Sequence, residues 1–118
     1  MSETKGNCVF CRIAEGEEEA RVVYRSDQVT AFHDIAPQAP THIVLIPNRH
    51  IESLVATTDE DTELLGAMLN RARQIASDEG LDADGYRLVI NTGADAGQSV
   101  PHLHLHILGG RRMKWPPG

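Results

Sequence analysis

The chain is poor in positive charge: 11 Lys and Arg stand against 17 Asp and Glu, a formal net charge of −6. That balance argues against a general binder of nucleic acid or anionic membrane, which would carry a basic face. It leaves room for one local pocket that holds a small phosphate-bearing ligand. No apolar run approaches the ~20 residues of a membrane span, and Met1 to Asn7 lack the apolar core of a secretory signal. Cysteine is nearly absent too. Its two copies, Cys8 and Cys11, stand in the spacing C-x-x-C. In a chain with no export signal that spacing points to metal or redox chemistry before a structural disulfide, and to a cytoplasmic location. Repeats, low-complexity tracts and linkers are missing. The 118 residues are the length of a single domain spanning 1–118, and 41% hydrophobic with 24% charged residues is ordinary globular usage.

What is present reads as alternating short strands and one long helix. Cys8 to Ala14 suits a short helix or turn, and the acidic run Glu17-Glu18-Glu19 a solvated turn. Arg21–Tyr24 and Val29–Phe32 are β-prone runs whose separation by Ser26-Asp27-Gln28 predicts a hairpin. Ile43 to Ile46 is a buried-strand run closed by Pro47. Thr57 and Glu60 have capping-box spacing, and Leu64, Leu65, Met68, Leu69, Ala72, Ile75 and Ala76 follow the 3.6-residue period up to a stop at Gly80. Strands over Arg87–Asn91 and His102–Leu108 follow, joined by a glycine-bearing loop. Strands linked by short turns, without βαβ alternation, predict an α+β fold: an antiparallel sheet of about five strands covered by one long helix, plus a short N-terminal helix.

Three of the six histidines alternate with leucine in His102-Leu103-His104-Leu105-His106. On a strand the three imidazoles share one face and the leucines the other. A polar, solvent-facing strand is the bland alternative. Three groups that can attack, carry protons or bind metal make a site. Just before them, Gly93 and Gly97 let the backbone of Asn91 to Ser99 approach a ligand and turn N–H groups onto an anion. An ordinary interstrand turn would look similar.

Gly97-Gln98-Ser99-Val100, followed by Pro101-His102-Leu103-His104-Leu105-His106-Ile107-Leu108, resembles the signature of the histidine triad superfamily. The similarity extends to Ala31 to His42, to Ile46 to Ile51, and to the ending Gly109 to Gly118, which resembles the nucleotide-binding Hint branch. The resemblance implies a homodimeric nucleoside phosphoramidase that cleaves the P–N bond of purine nucleoside phosphoramidates, and aminoacyl-adenylates as well. Dinucleoside polyphosphate hydrolysis, or a nucleotide-binding scaffold with little turnover, are the alternatives.

By the same resemblance His104 is the nucleophile, His106 steadies the phosphate, Ser99 lies near the leaving amine, and His42 joins a proton relay. Asp34 would hold the ribose hydroxyls of AMP or GMP, and Phe10, Phe32 and Ile35 the base, although plain core packing also suits these three. Asn91, Gly97 and Gln98 would lie beside the phosphate. Two departures stand out: Glu18-Glu19 replaces an Ile-Pro pair, and C-x-x-C is absent from animal Hint proteins. Other members of the superfamily bind zinc through C-x-x-C, with further ligands matching His50 and His102. Four such ligands make a closed, structural zinc site, with a pair of free thiols as the alternative. The dimer would pair the long helix and a sheet edge across a two-fold axis, and carry the Trp115 tail towards the partner's site.

Overall fold

The computed structural model describes residues 7–118, so all but Asn7 of the polar N-terminal stretch lies outside the described residues. Five strands, β1 (Val22–Arg25), β2 (Val29–His33), β3 (Thr41–Pro47), β4 (Tyr86–Val89) and β5 (Leu105–Gly109), form one sheet. Every neighbouring pair is antiparallel, in the order β1-β2-β3-β5-β4. A short helix α1 (Val9–Ala14) and a long helix α2 (Thr62–Asp78) complete the α+β architecture.

The hairpin turn sits where the sequence places it. Ser26 Oγ accepts from the N–H groups of Gln28 and Val29, and the Ser26 N–H donates to the Val29 carbonyl. Helix α2 begins later than its pattern suggests. The capping box is Thr58 with Asp61, not Thr57 with Glu60, and it closes a 3-10 turn before the helix proper. Thr57 is diverted: its hydroxyl donates to the Leu54 carbonyl at 2.7 Å. Of the seven periodic apolar positions, Met68, Ala72, Ile75 and Ala76 are buried, Leu64 and Leu65 are half-buried, and Leu69 is exposed. The helix stops at Gly80 (φ 78°), where the Leu81 N–H reaches back to the Ala76 carbonyl.

The sheet divides two apolar layers. Ala31, Ile43, Leu45, Leu103, Leu105 and Ile107 pack with the buried residues of α2. On the other face Phe32, Val44 and Ile46 pack against Ile13, Val9 and Phe10 of α1. The leucines of the histidine run thus lie in the α2 layer, which sends its imidazoles to the α1 face as the alternation requires. The last strand is shorter at its start than expected, because His102 to His104 precede β5. Its partner β3 ends at Pro47, which has no N–H to extend the ladder. The Leu103 N–H instead donates to the Ile51 carbonyl. Likewise β4 ends at Val89, short of Asn91.

Candidate active site

The α1 face of the sheet bears a cleft of about 350 Å³, within the ~300–1,000 Å³ range of small-molecule sites. It is lined by the apolar Val9, Phe10, Ile13, Phe32 and Val44 and by the polar Asp34, Ser99, His104 and His106. Glu18 and Glu19 stand on its rim, with Glu18 paired to Arg12 at 3.2 Å, and the fully exposed Ile35 flanks it. Phe10 meets Phe32 and His104 edge to face, with ring centroids 5.4 and 5.2 Å apart. Helix α1 therefore forms one wall of the cleft and braces the central histidine.

Each imidazole has a proton arrangement that its neighbours dictate. A carbonyl oxygen can only accept, so the 2.7 Å contact of His104 Nδ1 with the His102 carbonyl places a proton on Nδ1. In the neutral ring that leaves the lone pair on Nε2. The same logic puts a proton on His102 Nε2, which donates to the Pro47 carbonyl at 2.9 Å and leaves Nδ1 as a bare donor atom. His106 Nδ1 lies 2.8 Å from His42 Nε2, and the Asp34 carboxylate is 3.4 Å from the same His42 nitrogen. Burial, chiefly, holds His106 down to about 4, with the neighbouring imidazoles of His104 and His42 adding to it and Asp34 opposing it. Burial also lowers His42, again against the pull of Asp34. Near neutral pH both rings are uncharged.

A second cluster lies behind the first. Cys8 Sγ is 3.2 Å from His102 Nδ1, and Cys11 Sγ is 3.2 Å from His50 Nδ1 and 3.5 Å from His102 Nδ1. All four ligand atoms fall within 4.8 Å of one another. In a tetrahedral zinc site the sulfur–nitrogen edges are about 3.5 Å, as Zn–S and Zn–N lengths require. Cys8, Cys11 and His102 are buried and His50 is half-buried, and the bare His102 Nδ1 points into the cluster. The donor set fits a metal.

The family model of the HIT domain matches residues 15–113, from the end of α1 to the C-terminal tail. The chain belongs to the HIT family. A HIT family hydrolase from Legionella pneumophila superposes with a TM-score of 0.93 at 53% identity, covering 95% of this chain and all of that one. A zinc-bound histidine triad family protein from Mycobacterium smegmatis gives 0.77 at 34% identity, covering 92% and 78%. A histidine triad nucleotide-binding protein from Candida albicans gives 0.77 at 26%, covering 93% and 83%. This HIT chain shares the fold of all three.

The fold gathers Phe10, Phe32, Asp34, Ile35, Ser99, His104 and His106 around one cleft, with His42 directly behind His106. It does not bring Asn91, Gly97 or Gln98 to that cleft's walls. Asn91 lines a separate surface hollow beside Arg87 and the C-terminal tail. Gln98 staples the glycine loop: its side-chain oxygen accepts from the Gly93 N–H, and its amide donates to the Glu52 and Val100 carbonyls. Sequence reasoning missed Val9, Ile13, Ala20 and Val44 as cleft walls, since an apolar residue gives no sign of which side of a sheet it serves. It also missed the carbonyls of His102 and Pro47, which no side-chain pattern can announce.

Proposed function

We propose that this HIT protein hydrolyses purine nucleoside 5'-phosphoramidates through a nucleotidyl-histidine intermediate. The observation that carries the reading is the His104 ring lining the cleft, pinned through Nδ1–H on the His102 carbonyl so that Nε2 is the ring's remaining nitrogen. Neutral imidazole is a good nucleophile and, once protonated, a good leaving group. Its attack on the α-phosphorus forms the Nε2–P bond and breaks the P–N bond; the departing nitrogen takes up a proton from solvent water, with the Ser99 hydroxyl as the proposed route. Water then cleaves the Nε2–P bond and releases the nucleoside monophosphate. His106 donates to a phosphate oxygen as negative charge develops there. The remaining assignments follow the layout of the cleft. Asp34 accepts from the ribose hydroxyls, while Phe10, Phe32 and Ile35 hold the base of AMP or GMP. Asn91, Gly97 and Gln98 support the phosphate loop from outside the cleft.

The second cluster is proposed as a zinc site held by Cys8, Cys11, His50 and His102. Four protein ligands leave no open position, so the ion would crosslink α1 to the histidine segment and supply no step of the reaction. The reading further includes a homodimer, formed around the β4 edge of the sheet and the exposed Leu69 and Trp115, and residence in the cytoplasm.

The test is rapid quench with adenosine 5'-phosphoramidate followed by intact-mass analysis, with diadenosine triphosphate alongside. An AMP adduct on the peptide containing His104, with faster turnover of the phosphoramidate, is the expected outcome. Faster turnover of the dinucleotide would reassign the substrate, and AMP binding with no turnover of either would reduce the protein to a scaffold.

A further inference from the structure

Behind the nucleophile lies a hydrogen-bonded row that begins on the main chain. The Gln38 N–H donates to His42 Nδ1 at 3.0 Å, His42 Nε2 meets His106 Nδ1 at 2.8 Å, and His106 keeps Nε2 for the cleft it lines. We infer that the main-chain N–H of Gln38 fixes the direction of this row, holding His106 as a neutral ring that presents Nε2–H to the cleft. Gln38 is thereby a positioning residue, acting through His42.

A peptide N–H cannot accept, so His42 Nδ1 must be the lone-pair nitrogen. A neutral His42 then carries its proton on Nε2, and the 2.8 Å contact makes His106 Nδ1 the acceptor. A neutral His106 must carry its own proton on Nε2. Reversing the row would put a proton on His42 Nδ1, head-on against the Gln38 N–H. A second proton on either ring would set two N–H groups against each other, at 3.0 Å or at 2.8 Å. The row therefore resists protonation by geometry as well as by burial.

The ionisable groups around the pair are few among the described residues. Asp34 reaches His42 Nε2 at 3.4 Å, while its other oxygen accepts from the Ala36 N–H at 2.8 Å. His104 stacks edge to face on His106 with ring centroids 5.0 Å apart. Arg111 donates to the Gln38 carbonyl from outside the row, on the next peptide along. Asp34 is thus a latent counter-ion for His42 that the Gln38 N–H keeps out of use.

The consequence for the reaction proposed above is that His106 acts by hydrogen bonding, not by a positive charge. This last step rests on that reading, whereas the proton order belongs to the free protein and is measured without any substrate. Long-range ¹H–¹⁵N spectra of the metal-retaining wild type should show His42 and His106 both neutral and both protonated at Nε2 at pH 7. Finding His42 protonated at Nδ1 would overturn the inference outright. Gln38→Ala keeps the N–H and loses only the side chain's bond to the Ala36 carbonyl, so it should leave the spectra unchanged. Gln38→Pro removes the N–H, freeing His42 Nδ1 to take a proton opposite Asp34. The midpoint of the pair should then rise by about one pH unit or more, and the acid limb of kcat should move with it. An unchanged titration in Gln38→Pro, or an equal shift in Gln38→Ala, would sink the idea. Loss of phosphoramidase activity in the wild type would sink the functional reading and leave the proton order standing.

Discussion

Histidine has two chemically similar ring nitrogens, and in this protein the acceptor opposite each ring decides which one is free. His104 spends Nδ1–H on the His102 carbonyl, and His102 spends Nε2–H on the Pro47 carbonyl. One ring then offers a lone pair to the cleft and the other offers one to the two cysteines. The assignment sets an order of sensitivity. His104→Gly should lower kcat by several orders of magnitude while AMP binding survives within roughly tenfold, about 1.4 kcal/mol. His106→Asn should cost only the roughly 10²–10³ in rate that one hydrogen-bond donor contributes. Steady-state kinetics with calorimetric AMP titration checks both, and the reverse order would misplace the nucleophile.

The lowered affinity of His106 and His42 for protons also ties stability to pH. Their folded-state values lie below the ordinary 6.5, at about 4 for His106, so between those limits the unfolded chain binds more protons. Stability from this source is complete above pH 6.5 and is lost as pH falls towards 4. Each ring contributes a slope of at most about 1.4 kcal/mol per pH unit. Urea unfolding between pH 7 and 5, above the range of most carboxylates, should show falling midpoints, with a shallower fall in His106→Asn.

At the scale of elements, Gly110 lets the end of β5 pass close against the loop after β2. Gly110 has φ 90°, and a Cβ there would lie 2.8 Å from Pro40 Cβ, a ring that cannot swing aside. Gly93 also has a positive φ (82°) but nothing within 4 Å. Gly110→Ala should therefore destabilise by about 2–4 kcal/mol, from backbone strain plus overpacking. Gly93→Ala should cost only about 1 kcal/mol, from the backbone alone. Thermal unfolding of the two variants against the wild type makes the comparison. The short strands β1 and β4, and the late start of β5, belong to the same scale. Where a strand ends is set by its partner's last available N–H, which is why Pro47 on β3 truncates β5.

For the whole molecule, the four proposed zinc ligands come from the N-terminal edge, the middle and the last third of the chain. Metal binding should therefore couple to folding. Protein purified without chelator should contain close to one zinc per chain by elemental analysis. Stripping it should lower the melting temperature and weaken AMP binding, because α1 and its N-cap residue supply both cysteines and α1 forms a wall of the cleft. Less than about a tenth of a zinc per chain would contradict the site, since closed sites of this kind bind tightly at pH 7. The proposed dimer predicts a light-scattering mass near twice the 12.9 kDa chain; the monomer mass at micromolar concentration would refute it.

Much of this was readable in one dimension. Alternation in His102 to His106 assigned the imidazoles to one face and the leucines to the core, because the period of extended chain is two wherever it runs. The periodicity of Met68, Ala72, Ile75 and Ala76 marked the buried stripe of α2 for the matching reason. Hairpin, helix stop and sheet type followed from Ser26, Gly80 and the short connections. Other features belong to tertiary structure alone. Leu69 keeps the helical period yet faces outward, since the stripe that is covered depends on where the sheet lies. Gln98 turned inward to staple its own loop, a contact with Glu52 that sequence spacing cannot show. Above all, the protons on His102, His104 and His42 depend on main-chain atoms that only folding sets opposite them: the Pro47 carbonyl, the His102 carbonyl and the Gln38 N–H. Sequence named the groups that do chemistry through the types and periods of their side chains. The fold decided which nitrogen of each is free, because main-chain donors and acceptors are alike at almost every residue and acquire meaning only by position.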